Sequence, residues 1–471
     1  MFRHDNISPL YTDLYQLTMA QAYYFSRRHE APATFDYFFR KLPYSGGYVI
    51  FTGLQELLDM LEGLRFRDDD IDYLHTLGFK DEFLEYLAGF SFRGDIYGMQ
   101  EGEIVFPMEP ILRVDTTLLE GQLIETLLLN ILNFQSLIAT KASRVRQSAG
   151  HRLLSDFGLR RAQSFGAIQA TRAAITGGFD STSNLFAARL YGLEPSGTMA
   201  HSFIESFENE LEAFRQYASS FPDSCILLID TYNTLKSGLP NAITVAKELQ
   251  AKGYRLNGIR LDSGDLAYLS KKARKTLDQH GLHDVKIVVS NQLDEFVIKS
   301  LLDQGAPIDI FGVGTSMIIG RPDGAIDGVY KLAESDNRPR FKISENVQKT
   351  TLPGKKTVLR FLDKDGMYYA DCISLVQEDV PNRMIHPFEK EKSLDLTGIS
   401  CRNLFVKHME EGNQLHKPLP ILVLREKVAE NLSMLPPEHK RFDYPHIYKV
   451  GITEKISQLR NELLQPYRQF M

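Results

Sequence analysis

The stretch that decides the fold is Gly258-Ile259-Arg260-Leu261-Asp262-Ser263-Gly264-Asp265. Its apolar first half is typical of a buried strand, and two carboxylates three residues apart follow directly. In α/β proteins, ligands bind where the carboxyl ends of parallel strands emerge from the sheet. An arginine beside two aspartates suits an anionic substrate together with a cationic or Mg²⁺-bound one. We therefore expect this strand end to take part in the chemistry.

The same unit recurs from about residue 150 to about residue 320: a short apolar run, a polar or glycine-rich cluster and a helical pattern. The clusters are Ser155–Gly158, Thr176–Asp180, Ser196–Thr198, Asp230–Asn233, Asp262–Asp265, Ser290–Gln292 and Gly312–Thr315. They follow one another at roughly 20–32 residues, the length of one strand–helix unit. Apolar runs such as Cys225–Ile229 and Val285–Val289 indicate strands buried on both faces, as in a parallel sheet. About seven such units favour a TIM-like α/β barrel over a doubly wound sheet.

The flanking sequences mix helical and β-like patterns. We predict an N-terminal α+β segment over residues 1–115, the catalytic barrel over residues 116–330, and a C-terminal segment over residues 331–471. The last segment reads as β-rich and then helical, with an amphipathic helix over Thr453–Gln465. We expect the two flanks to pack together as a second α+β domain.

Composition excludes several classes of protein. A chain of 471 residues predicts two or three domains. A net charge of -6 argues against a general nucleic-acid binder. The three cysteines are far apart and form no Cys-x-x-Cys pair, which indicates a reducing compartment and no zinc site. No Gly-x-Gly-x-x-Gly motif opens a βαβ unit, so neither NAD nor flavin is expected as a cofactor.

Two segments bear on location. Met1–Leu10 has no apolar core and does not look like a signal peptide. Leu118–Ile138 is the most apolar helical pattern, but polar residues such as Glu120, Gln122, Glu125, Asn130 and Asn133 interrupt it, so it suits a buried helix better than a membrane span. We expect a cytoplasmic protein that binds no membrane.

The last strand–helix unit carries a candidate phosphate loop. Gly312, Gly314 and Thr315 follow a buried strand, and two glycines allow backbone N–H groups to face an anion. A tight strand–helix turn is the simpler alternative. After the strand that ends at Leu261, Asp262 and Asp265 could bind Mg²⁺ or sugar hydroxyls, although Asp262 or Ser263 could instead cap the helix that begins near Leu266.

Four further side chains lie at predicted strand ends. His201 could act as a base, an acid or a phosphoryl acceptor, although a single histidine is more often structural. Arg160 and Arg161 suit a carboxylate or a phosphate, which one guanidinium can hold with two hydrogen bonds, although a solvated basic turn is the simpler alternative. Phe157, just before them, could stack on a flat ring or belong to the core.

Taken together, the segments resemble the nicotinate phosphoribosyltransferase family of type II phosphoribosyltransferases. The matching stretches occur in order along most of the chain: Tyr11–Gln16, Phe35–Phe39, Ser155–Arg161, Gly197–Ser202, Arg260–Asp265 and Phe311–Ser316. The C-terminal third matches less distinctively.

The resemblance implies a reaction and an assembly. Nicotinate and phosphoribosyl pyrophosphate would give nicotinate mononucleotide and pyrophosphate, with ATP hydrolysis coupled to the step and Mg²⁺ as cofactor. This is the entry of nicotinate into NAD synthesis. The fold would be an irregular α/β barrel with a second domain built from both chain ends. The resemblance also implies a homodimer with its sites at the subunit interface.

The resemblance further implies a role for each matched residue. His201 would be the histidine that ATP phosphorylates. Nicotinate would lie among Tyr15, Phe157, Arg160, Thr198 and Arg260, with Tyr15 reaching in from the partner subunit. Asp262 and Asp265 would face the ribose and Mg²⁺, while Gly312, Gly314 and Thr315 would hold the phosphate.

Other functions stay open at this point. A nicotinamide phosphoribosyltransferase would place a carboxylate near Thr198, where this chain has Met199. A quinolinate phosphoribosyltransferase is usually shorter and needs more cationic side chains. A phosphoribosyl-binding protein without turnover is the non-enzymatic alternative, and the set of His201, Asp262, Asp265 and Thr315 argues against it.

Overall fold

The computed structural model describes residues 8–343, 351–389 and 391–470. The chain divides into two compact units, one of Met1–Leu137 with Ala325–Met471 and one of Ile138–Gly324. The segment boundaries expected after residues 115 and 330 stay predictions, because compactness alone does not show which segments fold independently. The signal-peptide argument rests partly on residues 1–7, which lie outside the described residues.

The N-terminal part of the first unit alternates helices and short strands. Its elements are α1 (Leu14–Phe25), β1 (Pro32–Phe39), β2 (Val49–Ile50), α2 (Leu54–Glu62), α3 (Asp68–Thr76), α4 (Asp81–Ala88), β3 (Asp95–Gly98), β4 (Ile104–Val105), β5 (Leu112–Thr117) and α5 (Leu118–Leu123). Helix α6 (Glu125–Ala149) follows and continues into the second unit. The helix expected over Leu118–Ile138 is therefore two helices, and the second extends further than predicted.

The second unit alternates strands and helices. Its elements are β6 (Leu153–Asp156), α7 (Gly166–Thr176), β7 (Ser181–Thr182), α8 (Leu185–Tyr191), α9 (His201–Glu205), α10 (Glu210–Ser220), β8 (Ile226–Leu228), α11 (Leu239–Ala251), β9 (Gly258–Leu261), α12 (Leu266–Gln279), β10 (Lys286–Ser290), α13 (Glu295–Asp303), β11 (Ile310–Val313) and α14 (Thr315–Ile318). A π-helical turn, Thr234–Gly238, precedes α11.

The six strands of the second unit form one parallel sheet in the order β7-β6-β11-β10-β9-β8. Seven repeating units were expected, and two of them differ. The cluster Thr176–Asp180 lies at the start of β7, not at its carboxyl end, and the segment before Ser196–Thr198 contributes only a parallel bridge between Pro195 and Thr182. In the described residues no backbone pairing joins β7 to β8, so the mixed α/β fold is established without a closed barrel.

The strands of this sheet form because their apolar residues are covered on both faces. Consecutive residues of a strand point to opposite faces, and Ile287, Val288 and Val289 of β10 are all buried, as expected for parallel strands with helices outside. Side-chain caps then start several helices: Asn184, Asn209 and Asp294 accept backbone N–H groups at α8, α10 and α13.

The C-terminal part of the first unit is β-rich and has two α-helices toward its end. Its elements are β12 (Gly328–Ser335), β13 (Arg338–Pro339), β14 (Lys356–Leu362), β15 (Tyr368–Leu375), β16 (Arg383–Ile385), β17 (Ser393–Asp395), β18 (Cys401–Asn403), β19 (Val406–Glu410), β20 (Asn413–Gln414), α15 (Ile421–Met434), β21 (Val450–Ile452) and α16 (Glu454–Leu464).

Two larger sheets organise the first unit. One has the order β13-β12-β1-β5-β3-β19-β20 and therefore combines strands from both chain ends, while the other, β17-β16-β21-β15-β14-β18, comes from the C-terminal part alone. The pairing of β1 with β12 places Tyr37 opposite Tyr330, and both rings are buried. No helix in the described part of the chain is long and apolar enough to cross a membrane.

Candidate active site at the carboxyl ends of the parallel strands

Strand register brings the predicted polar clusters to one level of the sheet. Ser155 lies opposite Gly312, and Gly312 opposite Ser290. Arg260 lies opposite Val288 on one side and Leu228 on the other. Because parallel strands run in step, Asp262 and its neighbours then emerge at the same edge as Ser290 and the residues after β8. The site is a consequence of this register.

Arg260 is the centre of the cluster. Its Nε donates to Ser290 Oγ at 3.0 Å and its Nη1 to Thr198 Oγ1 at 3.2 Å. Its Nη2 lies 3.2 Å from Asp262 Oδ1, and the guanidinium carbon lies 5.5 Å from the centre of the Phe157 ring. The side chain is 14% exposed. One guanidinium thus connects an aromatic ring, a carboxylate and two hydroxyls at the mouth of the sheet.

The carboxylate of Asp262 is held on one oxygen and open on the other. Ser290 Oγ donates to Asp262 Oδ1 at 2.5 Å, the same oxygen that faces Arg260. Asp262 Oδ2 lies 3.9 Å from His201 Nε2. The Asp262 side chain is 29% exposed, and the His201 side chain 39%. A ligand can therefore reach both groups.

His201 is the first residue of α9. Its Nε2 faces Asp262, and its other ring nitrogen contacts a residue at the end of a neighbouring strand. Its Nδ1 lies 3.0 Å from Thr231 Oγ1, which follows β8. The ring is thus fixed between a hydroxyl and a carboxylate, an arrangement that an isolated surface histidine lacks.

Phe157 and the two arginines follow β6. An added Cβ on Gly312 would lie 2.4 Å from the Phe157 ring, so glycine is required there for the ring to pack against β11. Arg160 and Arg161 lie in a short 3₁₀ turn, Leu159–Arg161, and are exposed. Neither has a hydrogen-bond or ion-pair partner for its side chain within the described ranges. Their guanidinium groups remain available for a ligand.

Asp265 has a structural function that was expected of its neighbours. Its Oδ1 accepts the backbone N–H of Tyr268 at 3.0 Å and caps α12. The helix cap predicted for Asp262 or Ser263 is therefore wrong. Asp262 and Ser263 instead donate to Asp230, and Asp265 lies exposed at the rim.

The remaining predicted residues divide between the two units. Gly314 precedes the short helix α14, whose first residue is Thr315, and both are half-buried. Tyr15 lies on α1 of the first unit and is 49% exposed. Burial and the nearby charges of Glu125 and Asp13 raise the pKa of Tyr15, so it is neutral at physiological pH.

Sequence reasoning missed Asp230, Thr231 and Ser290 as individual site residues. Asp230 Oδ2 accepts from the Asp262 N–H and from Ser263 Oγ, each at 2.7 Å, while Asp230 Oδ1 is buried without a partner in the described residues. All three residues belong to clusters that the repeating pattern had marked. The sequence feature that could have identified them is their position directly after a buried strand or at its end, which they share with Asp262.

Known proteins of one family resemble this chain over almost its whole length. The chain matches the family profiles for the nicotinate phosphoribosyltransferase N-terminal domain over residues 10–133, the nicotinate phosphoribosyltransferase family over residues 153–377 and its C-terminal domain over residues 355–460. It is 44% identical to the nicotinate phosphoribosyltransferase of Bacillus subtilis, covering 96% of this chain and 94% of that protein. The chain belongs to the nicotinate phosphoribosyltransferase family.

A solved structure leads to the same family. The crystal structure of human nicotinic acid phosphoribosyltransferase superposes with a TM-score of 0.86 at 31% identity, covering 96% of this chain and 99% of the human chain. The nicotinate-nucleotide pyrophosphorylase of Pyrococcus furiosus superposes with a TM-score of 0.71 at 24% identity, covering 90% of this chain and 95% of that one. The second likeness concerns the fold alone.

Proposed function

We propose that this member of the nicotinate phosphoribosyltransferase family transfers the phosphoribosyl group of phosphoribosyl pyrophosphate to nicotinate. The products are nicotinate mononucleotide and pyrophosphate. The observation that carries the proposal is the position of Arg260, with the Phe157 ring on one side and the Asp262 carboxylate on the other. A pyridine acid needs an aromatic surface and a cation, and a ribosyl cation needs a carboxylate.

The chemistry follows from these charges. The nicotinate ring nitrogen has a lone pair and needs no general base. It forms a bond to the anomeric carbon as the bond from that carbon to pyrophosphate breaks, and the departing electron pair stays on pyrophosphate. The transition state resembles an oxocarbenium ion, as in glycoside hydrolysis. The open Oδ2 of Asp262 can stabilise that positive charge, while Arg260 and Arg160 bind the anionic groups.

The nicotinate contacts are assigned by chemistry. Phe157 offers its ring to the pyridine, and Arg160 is the exposed guanidinium that we assign to the carboxylate, with Arg161 next to it. Thr198 holds Arg260 in place at 3.2 Å. Gly314 and Thr315 begin α14 at the same edge, where backbone N–H groups suit the 5-phosphate. Tyr15 is assigned to the nicotinate site of the partner subunit in a homodimer.

The residues present also fit Mg²⁺, which usually takes one or two protein carboxylates and completes its shell with phosphate oxygens and water. Asp230 Oδ1 is a buried oxygen without a partner in the described part of the chain, and Asp262 Oδ2 is open. No group of three or more metal-binding side chains occurs among the described residues, and substrate phosphates would complete the shell of such an ion. Asp230 and Asp262 would hold the ion, which would supply positive charge to the departing pyrophosphate. Asp265 has one oxygen outside its helix cap and lies at the rim for ribose or metal.

ATP coupling is assigned to His201. Its ring nitrogen would attack the γ-phosphorus of ATP as ADP leaves, and water would later cleave the phosphorus–nitrogen bond to release phosphate. The Thr231 hydroxyl fixes the ring for this exchange. Labelled ATP should transfer its γ-phosphate to the wild-type protein and not to the His201→Ala variant; label retained on that variant would contradict the assignment.

We also propose that the parallel sheet curls into an irregular barrel. Its two edge strands are β7 and β8, and residues after each of them meet at the site. Thr198 contacts Arg260 of β9, and His201 contacts Thr231 after β8. The parallel bridge at Pro195 extends the sheet beyond β7 in the direction of closure. A cytoplasmic location agrees with the supply of these substrates and remains a prediction.

Substrate choice is tested directly. The protein is incubated with phosphoribosyl pyrophosphate, Mg²⁺ and ATP together with nicotinate, nicotinamide or quinolinate, and the nucleotide formed is identified by chromatography. We expect nicotinate mononucleotide as the main product. Preferential use of the amide or of the dicarboxylate would overturn the proposal.

A further inference from the structure

Asp156, the last residue of β6, is a fully buried carboxylate that the proposed chemistry does not use. Its Oδ1 accepts the backbone N–H of Gly158 at 2.8 Å. Its Oδ2 accepts from Thr171 Oγ1 at 2.7 Å and from Thr182 Oγ1 at 2.9 Å. The three donors come from the loop after β6, from α7 and from β7, so one side chain joins three elements.

These hydrogen bonds fix the backbone next to Phe157. The N–H of Phe157 donates to Val313 O of β11 at 2.9 Å, and the next N–H, that of Gly158, donates to Asp156. On its ring side, Phe157 rests on Gly312 with no room for a Cβ. The backbone is therefore held at two successive N–H groups, that of Phe157 by β11 and that of Gly158 by Asp156.

The turn that carries the arginines begins at this anchor. Gly158 precedes the 3₁₀ turn Leu159–Arg161. Because Arg160 and Arg161 have no side-chain partners among the described residues, the backbone of the turn alone sets where their side chains start. A change at Asp156 should therefore displace both the ring and the cations, while Asp262 and His201 keep their own hydrogen bonds.

We infer that Asp156 is a positioning residue for the pyridine acid, whose carboxylate holds Phe157 and the Leu159–Arg161 turn in the shape that binds nicotinate. The inference rests on the proposed function and extends it to a residue that contacts no substrate. Asp156 supports the binding of nicotinate, not that of phosphoribosyl pyrophosphate, because its bonds reach only the nicotinate side of the site.

Two substitutions separate the negative charge of Asp156 from its hydrogen bond to the Gly158 N–H. Burial raises the pKa of Asp156, and the hydrogen bonds from Thr171, Gly158 and Thr182 counteract that rise. In Asp156→Asn, the carbonyl oxygen can still accept from Gly158, and the threonine hydroxyls can turn to accept from the amide. In Asp156→Ala, all three bonds are lost.

The test measures the KM for each substrate and kcat in both variants. We expect Asp156→Ala to raise the KM for nicotinate by at least about ten-fold, the usual effect of losing a hydrogen bond to a charged group. The KM for phosphoribosyl pyrophosphate should change by less than about two-fold. Asp156→Asn should restore most of the nicotinate affinity. Equal rises in both KM values would overturn the inference.

Asp180 provides a matched control at the other end of β6. Its Oδ2 accepts the backbone N–H of Leu154 at 2.8 Å, and it pairs with Arg146. Asp180→Ala should lower Tm and leave the KM for nicotinate unchanged. If Asp156→Ala behaves in the same way, Asp156 is merely structural and the inference fails.

Two further outcomes are separable. If Asp156→Ala does not fold, Thr171→Val replaces it as the test, because it removes one donor to Asp156 and keeps the hydrogen bond from Gly158. A rise of about three-fold in the KM for nicotinate supports the inference. An unchanged KM overturns it. If the wild-type protein does not use nicotinate at all, the proposed function fails and Asp156 is not the cause.

Discussion

Two arginine–carboxylate clusters in this chain show how similar residues serve different ends. In the first unit, Arg360 donates from Nε to Asp371 Oδ1 at 2.9 Å and from Nη2 to Asp371 Oδ2 at 2.6 Å, and both side chains are 0% exposed. In the second unit, Arg260 faces a single oxygen of Asp262, and that carboxylate is 29% exposed. The first cluster is closed, whereas the second keeps a carboxylate oxygen that a ligand can reach.

The difference lies in how completely the polar atoms are satisfied. Asp371 also accepts from Tyr448, and Arg360 also donates to Ile104 O and faces Glu103. Buried ion pairs are tolerated only with such complete pairing. At the sheet edge, Asp230 Oδ1 has no partner in the described residues and Asp262 Oδ2 is open. A cluster with unpaired polar atoms lowers the stability of the fold. Such clusters are typical of functional sites, where a ligand can pair with those atoms.

The largest effect is expected from breaking the closed cluster. Arg360→Ala leaves Asp371 buried without its cation, whereas Glu103 keeps its ion pair with Arg402, and should lower the free energy of unfolding by about 3–5 kcal/mol. Urea unfolding followed by circular dichroism measures the loss. A variant as stable as the wild type would show that the two clusters do not differ in this way.

The counterpart in the open cluster should affect activity instead. Arg260→Ala should lower kcat/KM for nicotinate by about 100-fold, or about 2.7 kcal/mol, because it removes the cation between Phe157 and Asp262. Its free energy of unfolding should fall by less than about 1.5 kcal/mol, since the site is partly solvated. Steady-state kinetics and urea unfolding on the same sample decide. If Arg260→Ala instead lost much stability while its folded fraction kept normal kinetics, the open cluster would be structural and the contrast with the closed cluster would fail.

A smaller effect is expected at the aromatic surface. Phe157→Ala removes the ring but no charge, so the KM for nicotinate should rise about ten-fold while kcat changes less. Phe157→Leu, which keeps an apolar side chain, tests whether stacking or mere burial matters. Equal KM values in the leucine variant and the wild type would argue against stacking.

The smallest effect concerns Glu109, a buried neighbour of the closed cluster. Burial, followed by the charge of Asp371, raises the pKa of Glu109 well above its usual value. A carboxyl with a raised pKa in the folded state contributes stability at low pH and loses it as the pH rises through that pKa. Above the ordinary carboxyl range, the wild type should therefore lose stability with rising pH. Glu109→Gln should show a flatter profile in urea unfolding from about pH 5 to about pH 9, and parallel profiles would contradict the assignment.

The sequence predicted the elements of the second unit well because they depend on local pattern. Short, mainly apolar runs marked β8 to β11, and the polar clusters after them marked the edge of the sheet. Which clusters meet depends on strand register and strand order, and neither can be read from one chain. The contact of His201 with Thr231 and the pairing of Asp262 with Ser290 are of this kind.

The errors have physical causes as well. Asp265 caps α12, because Asp262 and Ser263 form hydrogen bonds with Asp230, a carboxylate from the end of another strand. The cluster Thr176–Asp180 looked like a strand end but lies between a helix and the next strand, since glycine-rich turns occur at both ends of a strand–helix unit. In the first unit, strands from both chain ends share one sheet; packing of the two flanks was expected, but local pattern does not show which of their strands pair.

The most direct test of the central claim is the rate of pyrophosphate release by wild type and by Asp262→Asn, with nicotinate, phosphoribosyl pyrophosphate and Mg²⁺, in the presence and absence of ATP. The wild type should release pyrophosphate in equal amount to nicotinate mononucleotide, and faster with ATP. Asp262→Asn should fold normally and release it about 100-fold more slowly, as expected for loss of transition-state charge stabilisation. A folded Asp262→Asn protein with wild-type rates would contradict the assignment of the open cluster as the active site.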